Sequence, residues 1–240
     1  MSDAWYGIGA LRFWNEREIL LRDEFTRRLS HLIIGQLKAI NPGWNSVRCE
    51  GPLITPRAHI SSAYDESDVF FCRAPLGEDE AVLRPETTPS SYLVAVDYLR
   101  SGKLKAPLIV WQLGKSFRRE TNDGASPAKL RFNEFYQLEF QCIYRADSKA
   151  DYRAAVMQPL AEELSHCGGG IDHRIVPSDR LPAYSERTDD VELTWKKSFK
   201  EVCSVSTRTD FSIPNNSVEF RVLEVAIGMD RLICMAQGSL

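Results

Sequence analysis

No Cys-x-x-Cys pair occurs in this 240-residue chain, and its four histidines fall at no spacing that suits zinc, so the sequence offers no structural metal site. The six cysteines (Cys49, Cys72, Cys142, Cys167, Cys203 and Cys234) are scattered, a pattern of reduced thiols rather than of a disulfide framework. No apolar run approaches the length of a membrane span, and no basic segment followed by an apolar stretch marks a secretory leader. A cytoplasmic protein with no membrane partner is the expectation. Charge of one sign is also missing: 30 Lys and Arg against 33 Asp and Glu leave a net charge of −3, which supplies no global field to hold nucleic acid by counterion release. Contact with RNA would have to be local. Internal repeats and low-complexity tracts are absent as well.

What is present is an ordinary globular composition, 43% hydrophobic and 26% charged, sufficient for a full core in a single domain over 1–240, with 1–14 as an N-terminal extension. Asn15 and Glu18 can form a capping box, after which Leu20, Phe25, Leu29, Leu32, Ile33, Leu37 and Ile40 recur at helical spacing until Asn41, Pro42 and Gly43. Residues 47–56 read as one strand interrupted by prolines, which belong at sheet edges or interfaces. Residues 61–80 are polar and loop-like, with Asp65, Glu66 and Asp68 solvated. Thr88 as a cap and Pro89 at the first position predict a second helix whose apolar face uses Tyr92, Leu93, Val96 and Leu99, ended by Ser101 and Gly102. A third helical pattern over 151–167 is broken by Pro159 and terminated by Gly168, Gly169 and Gly170, and 171–177 reads as a short strand. Near the end, a strand from Val222 passes through Gly228 into a helix with Asp230 and Arg231, and a glycine there lets the backbone approach a ligand closely.

The stretch 112–141 organises the rest. Two extended runs flank a turn-rich loop at 121–130, with Asp123, Gly124, Ser126 and Pro127, which predicts an antiparallel hairpin. Alternation puts Gln112, Ser116, Arg118 and Glu120 on one face of the first arm, opposite Trp111, Leu113 and Phe117. In the second arm Arg131, Phe135, Glu139 and Gln141 share a face, opposite Phe132, Tyr136, Leu138 and Phe140. A solvated sheet face is one reading of such charges. A floor for a phosphate chain and an aromatic base is the other, because guanidinium groups fork onto phosphate oxygens and Phe135 offers a stacking surface.

Phe117-Arg118-x-Glu120, a loop, then Arg131-x-x-x-Phe135 resembles motif 2 of the class II aminoacyl-tRNA synthetases, in the version found in glycyl-tRNA synthetase. The long first helix followed by Thr55 and Pro56 resembles motif 1, and the segment through Gly228, Asp230 and Arg231 resembles motif 3. Leu83, Arg84, Pro85, Glu86 and Thr87, and later Ser206, Arg208, Thr209, Asp210 and Phe211, resemble stretches of the glycyl enzyme. The resemblance covers roughly 15–235 and implies an α+β fold, an antiparallel sheet flanked by helices.

It also implies roles. ATP would be held by Arg118, Glu120, Arg131, Phe135 and Arg231, with Arg118 and Arg231 catalytic; the amino acid would be held by Glu86, Glu139, Glu224, Ala226 and Arg208. Magnesium is expected with ATP, Glu224 being its candidate ligand, and Pro56 is placed at a homodimer interface. The implied reaction is activation of an amino acid, glycine first, as its adenylate and transfer to an acceptor, a tRNA or a carrier protein; the alternative is a non-catalytic accessory module. The sequence departs from the glycyl pattern at Ala226, where serine is usual, and at 194–199, where lysines and Ser198 replace a Gly-Trp-Gly-type segment and would alter the amino-acid side of the site. The chain stops nine residues after Arg231, so no anticodon-binding domain is expected within it.

Overall fold

The computed structural model describes residues 12–61, 64–120, 124–179 and 181–238. Most of the N-terminal extension, and the loop positions 121–123 with their expected turn, therefore lie outside the described residues. In chain order the elements are α1 (Glu16–Ile40), β1 (Asn45–Arg48), β2 (Ile54–Pro56), β3 (Phe70–Phe71), β4 (Ala81–Leu83), α2 (Thr88–Arg100), β5 (Leu108–Phe117), β6 (Glu134–Arg145), α3 (Tyr152–Cys167), β7 (His173–Pro177), β8 (Ser185–Trp195), β9 (Ser198–Arg208), β10 (Phe220–Gly228) and α4 (Met229–Gly238). This is the expected α+β architecture.

The helix ends show how local chemistry sets the elements. Asn15 Oδ1 accepts from the Glu18 amide and Glu18 Oε2 accepts from the Asn15 amide, each at 2.9 Å, which is the capping box read from the sequence. Phe25, Leu29, Ile33 and Leu37 follow at four-residue spacing and are buried. Leu20 is not part of that stripe and is 63% exposed, because five positions from Phe25 turn it about 140° away at 3.6 residues per turn. Asp151 caps α3 by accepting from the Ala154 amide, and α3 runs unbroken past Pro159 to Cys167 rather than stopping there. Gly169 and Gly170, both with positive φ, then turn the chain out.

The large sheet has seven strands in the order β1-β5-β6-β10-β9-β8-β7, antiparallel except for the β1–β5 pair. A second sheet, β2-β4-β3, has three. The expected single strand over 47–56 is thus split between two sheets. Pro52 has no amide proton to continue a ladder, and at Gly51 the backbone is diverted: its amide donates to Gln112 Oε1 and its carbonyl accepts from Arg84 Nη1. Pro56 consequently pairs with Ala81 in the small sheet, and β1 forms the edge of the large one.

One face of the large sheet is sealed. Leu138, Phe140 and Cys142 of β6, Leu223, Val225 and Ile227 of β10 and Val191 and Leu193 of β8 pack against α1, α3 and α4. The opposite face is covered by α2 at one end only, where Ala95, Tyr92, Val96 and Leu99 meet Leu108, Val110, Ile143 and Val222. Leu93, expected in that contact, is 59% exposed. The rest of that face is left open as a cleft. Among the described residues no helix is long and apolar enough to cross a membrane.

Candidate active site

The open half of the sheet floors a cleft of about 710 Å³. Because side chains alternate, each strand gives one set to this face, all polar except Ala226: Gln137 and Glu139 from β6, Glu224 and Ala226 from β10, Ser204 and Ser206 from β9, Thr188 and Asp190 from β8. Glu86, Arg118, Glu120, Arg131, Phe135, Glu139, Glu224, Ala226 and Arg231, all nominated from the sequence, line this one cavity. Arg208 and Pro56 do not.

The groups sort by charge along the strands. Phe117 pairs with Glu134 and Gly228 with Gln137, so Arg118, Phe135 and Arg231 gather where β5, β6 and β10 meet the loops. Glu139 and Glu224 lie four residues inward from Phe135 and Gly228, roughly 13 Å at 3.3 Å per residue. At the outer end, Arg118 Nε donates to the Pro85 carbonyl at 3.0 Å and Nη2 to the Tyr64 hydroxyl at 2.9 Å, and its guanidinium lies 5.2 Å from the centre of the Phe135 ring. Arg131 pairs with Glu120 at 3.2 Å. Arg231 donates to the carbonyls of Leu130 at 3.1 Å and Glu201 at 2.8 Å.

At the inner end the carboxylates have their own partners. Thr88 Oγ1 donates to Glu139 at 2.8 Å and lies 3.3 Å from Glu224, while Gln141 Nε2 donates to Glu139 at 2.8 Å and to Glu224 at 2.9 Å. Thr88, expected to cap α2, is instead its first helical residue and serves the site; the N-cap is Thr87. Arg208 does not reach the cleft but backs it, bonding Glu224 at 2.5 Å and Asp210 at 2.6 Å with its guanidinium 4.0 Å from the centre of the Tyr184 ring. Burial and the neighbouring Glu139 push the Glu86 carboxyl up to about 7. Burial, then Glu224, also raises the Glu139 carboxyl.

Gln112, expected on the cleft floor, is fully buried beneath α2, its amide donating to Thr87, Ser90 and Ser91 oxygens. Gln141, likewise expected there, is fully buried as well. Arg84, for which the sequence suggests no role, ties the chain two residues before Glu86 to its neighbours: Nε donates to the Lys115 carbonyl and Nη1 to those of Gly51 and Pro52. A Cβ at Gly114 would overlap its Nη2, so the glycine is needed for close approach. Asp230 is a second residue whose role is not evident from sequence. It accepts from the Tyr136 amide at 2.6 Å and from the buried Arg12 side chain, pinning the start of α4 beside Arg231.

Glu224 accepts from Arg208, Thr88 and Gln141, and among the described residues no three His, Cys, Asp or Glu side chains are grouped to hold a metal; a magnesium ion arriving with ATP would need only one or two carboxylates beside the phosphates. One expectation needs correction. The lysine-bearing departure at 194–199 is not on the amino-acid side. Lys196 and Lys197 form the turn between β8 and β9, three residue pairs beyond Glu192 and Glu201, toward the end of the cleft that holds Arg231.

Residues 70–239 match the family model described as the tRNA synthetase class II core domain (G, H, P, S and T). Glycine–tRNA ligase of Alkaliphilus metalliredigens is 30% identical over 139 residues, 58% of this chain and 30% of that protein. The enzyme of the same name from Mycoplasma capricolum is 25% identical over 181 residues, 66% of this chain and 39% of the relative. In structure, Giardia lamblia prolyl-tRNA synthetase in complex with prolyl-adenylate superposes with a TM-score of 0.73 at 15% identity, over 98% of this chain and 49% of that one. The chain therefore spans less than half the length of these relatives. With the family model covering most of its length and the sheet arranged as described, the chain belongs to the class II tRNA synthetase core-domain family.

Proposed function

We propose that this protein activates a small amino acid, glycine being the leading candidate, with ATP and passes the aminoacyl group to an acceptor, a tRNA or a carrier protein. The observation that carries the reading is the separation of charge in one cleft: guanidinium groups of Arg118, Arg131 and Arg231 at the loop end, carboxylates of Glu86, Glu139 and Glu224 further in. A nucleotide polyphosphate and an ammonium group need those opposite polarities side by side. An oxygen of the amino-acid carboxylate attacks the α-phosphorus, the bond to the β-phosphate oxygen breaks, and pyrophosphate leaves. Arg118 would meet the charge that develops on the α-phosphate, and fixed donors aimed at developing charge need no reorganisation during the reaction. Arg131 and Arg231 would hold the leaving phosphates. Phe135 would stack on adenine, and Glu120, paired to Arg131, would face its exocyclic amine.

Glu86 is the best situated anchor for the ammonium group. Glu139 and Glu224 already accept from Thr88, Gln141 and Arg208, whereas Glu86 is held near neutrality by burial and gains its charge when a cation arrives. The thiols of all six cysteines are free, which supports a reducing, cytoplasmic setting. We also expect a homodimer, as in the family, and light scattering of the purified protein tests it.

The decisive experiment is amino-acid-dependent exchange of labelled pyrophosphate into ATP. Exchange with glycine or another small amino acid is expected, and Arg118→Ala should lower it at least about 100-fold, the scale of losing one charge-stabilising donor, with an unchanged melting curve. No exchange with any of the twenty amino acids would favour a non-catalytic binding module.

A further inference from the structure

We infer that Tyr64 is a positioning residue for Arg118, and that the three-stranded sheet is the jig through which it acts; the inference rests on the adenylation reading. Arg118 sits just past the end of β5, its amide donating to the Asn133 carbonyl at 2.9 Å, so the backbone is held there and the side chain must be aimed by its own contacts. Its guanidinium is oriented by two rings and two acceptors: the Tyr64 and Phe135 ring centres lie 5.3 and 5.2 Å away, with the Tyr64 hydroxyl accepting from Nη2 at 2.9 Å and the Pro85 carbonyl accepting from Nε at 3.0 Å. Those two bonds use two of the five N–H groups, and the Nη1 pair and the second Nη2 proton are left to meet a ligand.

Tyr64 is itself rigidly mounted. It packs on Ile60, Val69 and Val82, the small core of the β2-β4-β3 sheet. Its carbonyl accepts from Arg57 Nη2 at 2.8 Å, and the Arg57 amide donates to the Glu80 carbonyl at 2.8 Å. Next along the chain, Asp65 and Asp68 cap a short 3₁₀ turn reciprocally, and the Asp68 carbonyl accepts from the Arg119 amide at 2.9 Å. The small sheet thus grips consecutive residues, the side chain of Arg118 and the backbone of Arg119. Burial pushes the Tyr64 phenol up, so the hydroxyl stays protonated and serves Arg118 as a neutral acceptor. A neutral acceptor orients the guanidinium without spending its charge, as a carboxylate there would; the charge remains for phosphate.

The test is Tyr64→Phe, which keeps the ring and its packing and removes only the acceptor. Pyrophosphate exchange is expected to fall about tenfold in kcat, the scale of a hydrogen bond to a charged group, with KM for ATP within about twofold. Arg118→Lys replaces the fork with a point charge that cannot use the Tyr64 oxygen in the same geometry. In that background Tyr64→Phe should cost nothing further. A purely structural role would instead lower the melting temperature and cost the same factor in both backgrounds, which would overturn the inference. Exchange by the unaltered protein with Tyr64→Phe equally active would reject the role of Tyr64 alone. Absence of exchange by the unaltered protein with every amino acid would reject the adenylation reading and, with it, this inference.

Discussion

The two ends of the cleft are built on different terms. At the inner end Glu86, Glu139 and Glu224 are 7%, 1% and 9% exposed, and the groups that satisfy the last two, Thr88, Gln141 and Arg208, are buried too. At the outer end the Arg131 and Arg231 side chains are 36% and 30% exposed and face carboxylates, Glu120 and Glu201, that are 23% and 48% exposed. Glu139 and Glu224 have their hydrogen bonds in place before any ligand arrives, at a desolvation cost met by the surrounding fold, while Glu86 beside them is left to answer an incoming cation. Charges at the outer end keep water as an alternative partner and can be re-aimed. A small ammonium group is suited by the first arrangement and a flexible polyphosphate by the second.

Removing one half of an ion pair should therefore have very different consequences at the two ends. Arg208→Met leaves Glu224 buried without its counter-ion, and losing one partner of such a pair costs about 3–5 kcal/mol. Chemical denaturation should show that loss at pH 7, and Arg208→Lys should recover only part of it, since an ammonium cannot fork between Glu224 and Asp210. A loss below about 1 kcal/mol would mean that the inner end is wetter than its geometry shows.

A titration sharpens the same contrast. Glu86 has a folded value of about 7 against an ordinary 4.5, so between those values the native state binds more protons than the unfolded chain. Stability must then fall as pH rises from about 4.5 to 7, by about 3 kcal/mol from this group, and level off above. Glu139, also raised, adds a slope of the same sign. Glu86→Gln should remove its share, measured as the difference in denaturation free energy between pH 5 and pH 8. Binding runs the other way: an incoming ammonium needs the ionised carboxylate, so KM for the amino acid should fall from pH 6 to pH 8, and a flat profile would dismiss Glu86 as the anchor.

What could be read in the sequence follows from the range of each interaction. The capping box at Asn15 and Glu18 and the hairpin around 112–141 are local, and the two-residue period of a strand puts Phe135 and Glu139 on one face, whereas the pairing of β6 with β10 is what adds Glu224 and Ala226 to that floor. The roles of Arg84, Tyr64 and Arg12 are not legible because their partners are distant: Tyr64 meets Arg118 across 54 positions and Arg12 meets Asp230 across 218. Nor does spacing reveal that a threonine near a helix start will turn to a carboxylate 51 residues on instead of capping its own helix. Arg208 stands behind Glu224, outside the lining of the cleft, with Tyr92 and Tyr184 packed against its guanidinium, a placement that its spacing in the chain does not reveal.

Ala226 probes the inner end more gently. It lines the cleft between Glu139 and Ser204 in the strand register, and Ala226→Ser adds one hydroxyl there. A neutral hydrogen bond is worth about 1 kcal/mol, so the ratio of glycine-dependent to alanine-dependent exchange should rise about fivefold, read from the two kcat/KM values.

The smallest effect belongs to the outer end. Glu120→Gln removes the carboxylate that pairs with Arg131 but keeps the amide oxygen in its place. A pair this exposed contributes about 0–1 kcal/mol, because water competes for both groups and the long side chains lose freedom in meeting. Denaturation should therefore shift by less than about 0.5 kcal/mol, an order below the expected loss for Arg208→Met. Exchange kinetics divide more finely. Should Glu120 only hold Arg131 back from the phosphates, KM for ATP would drop in the variant; should it also face the adenine amine, an amide oxygen replaces a charged acceptor and KM would rise a few-fold. A rise is expected, and GTP would discriminate further, since its ring presents a carbonyl where adenine presents an amine and should gain from the glutamine's own donor.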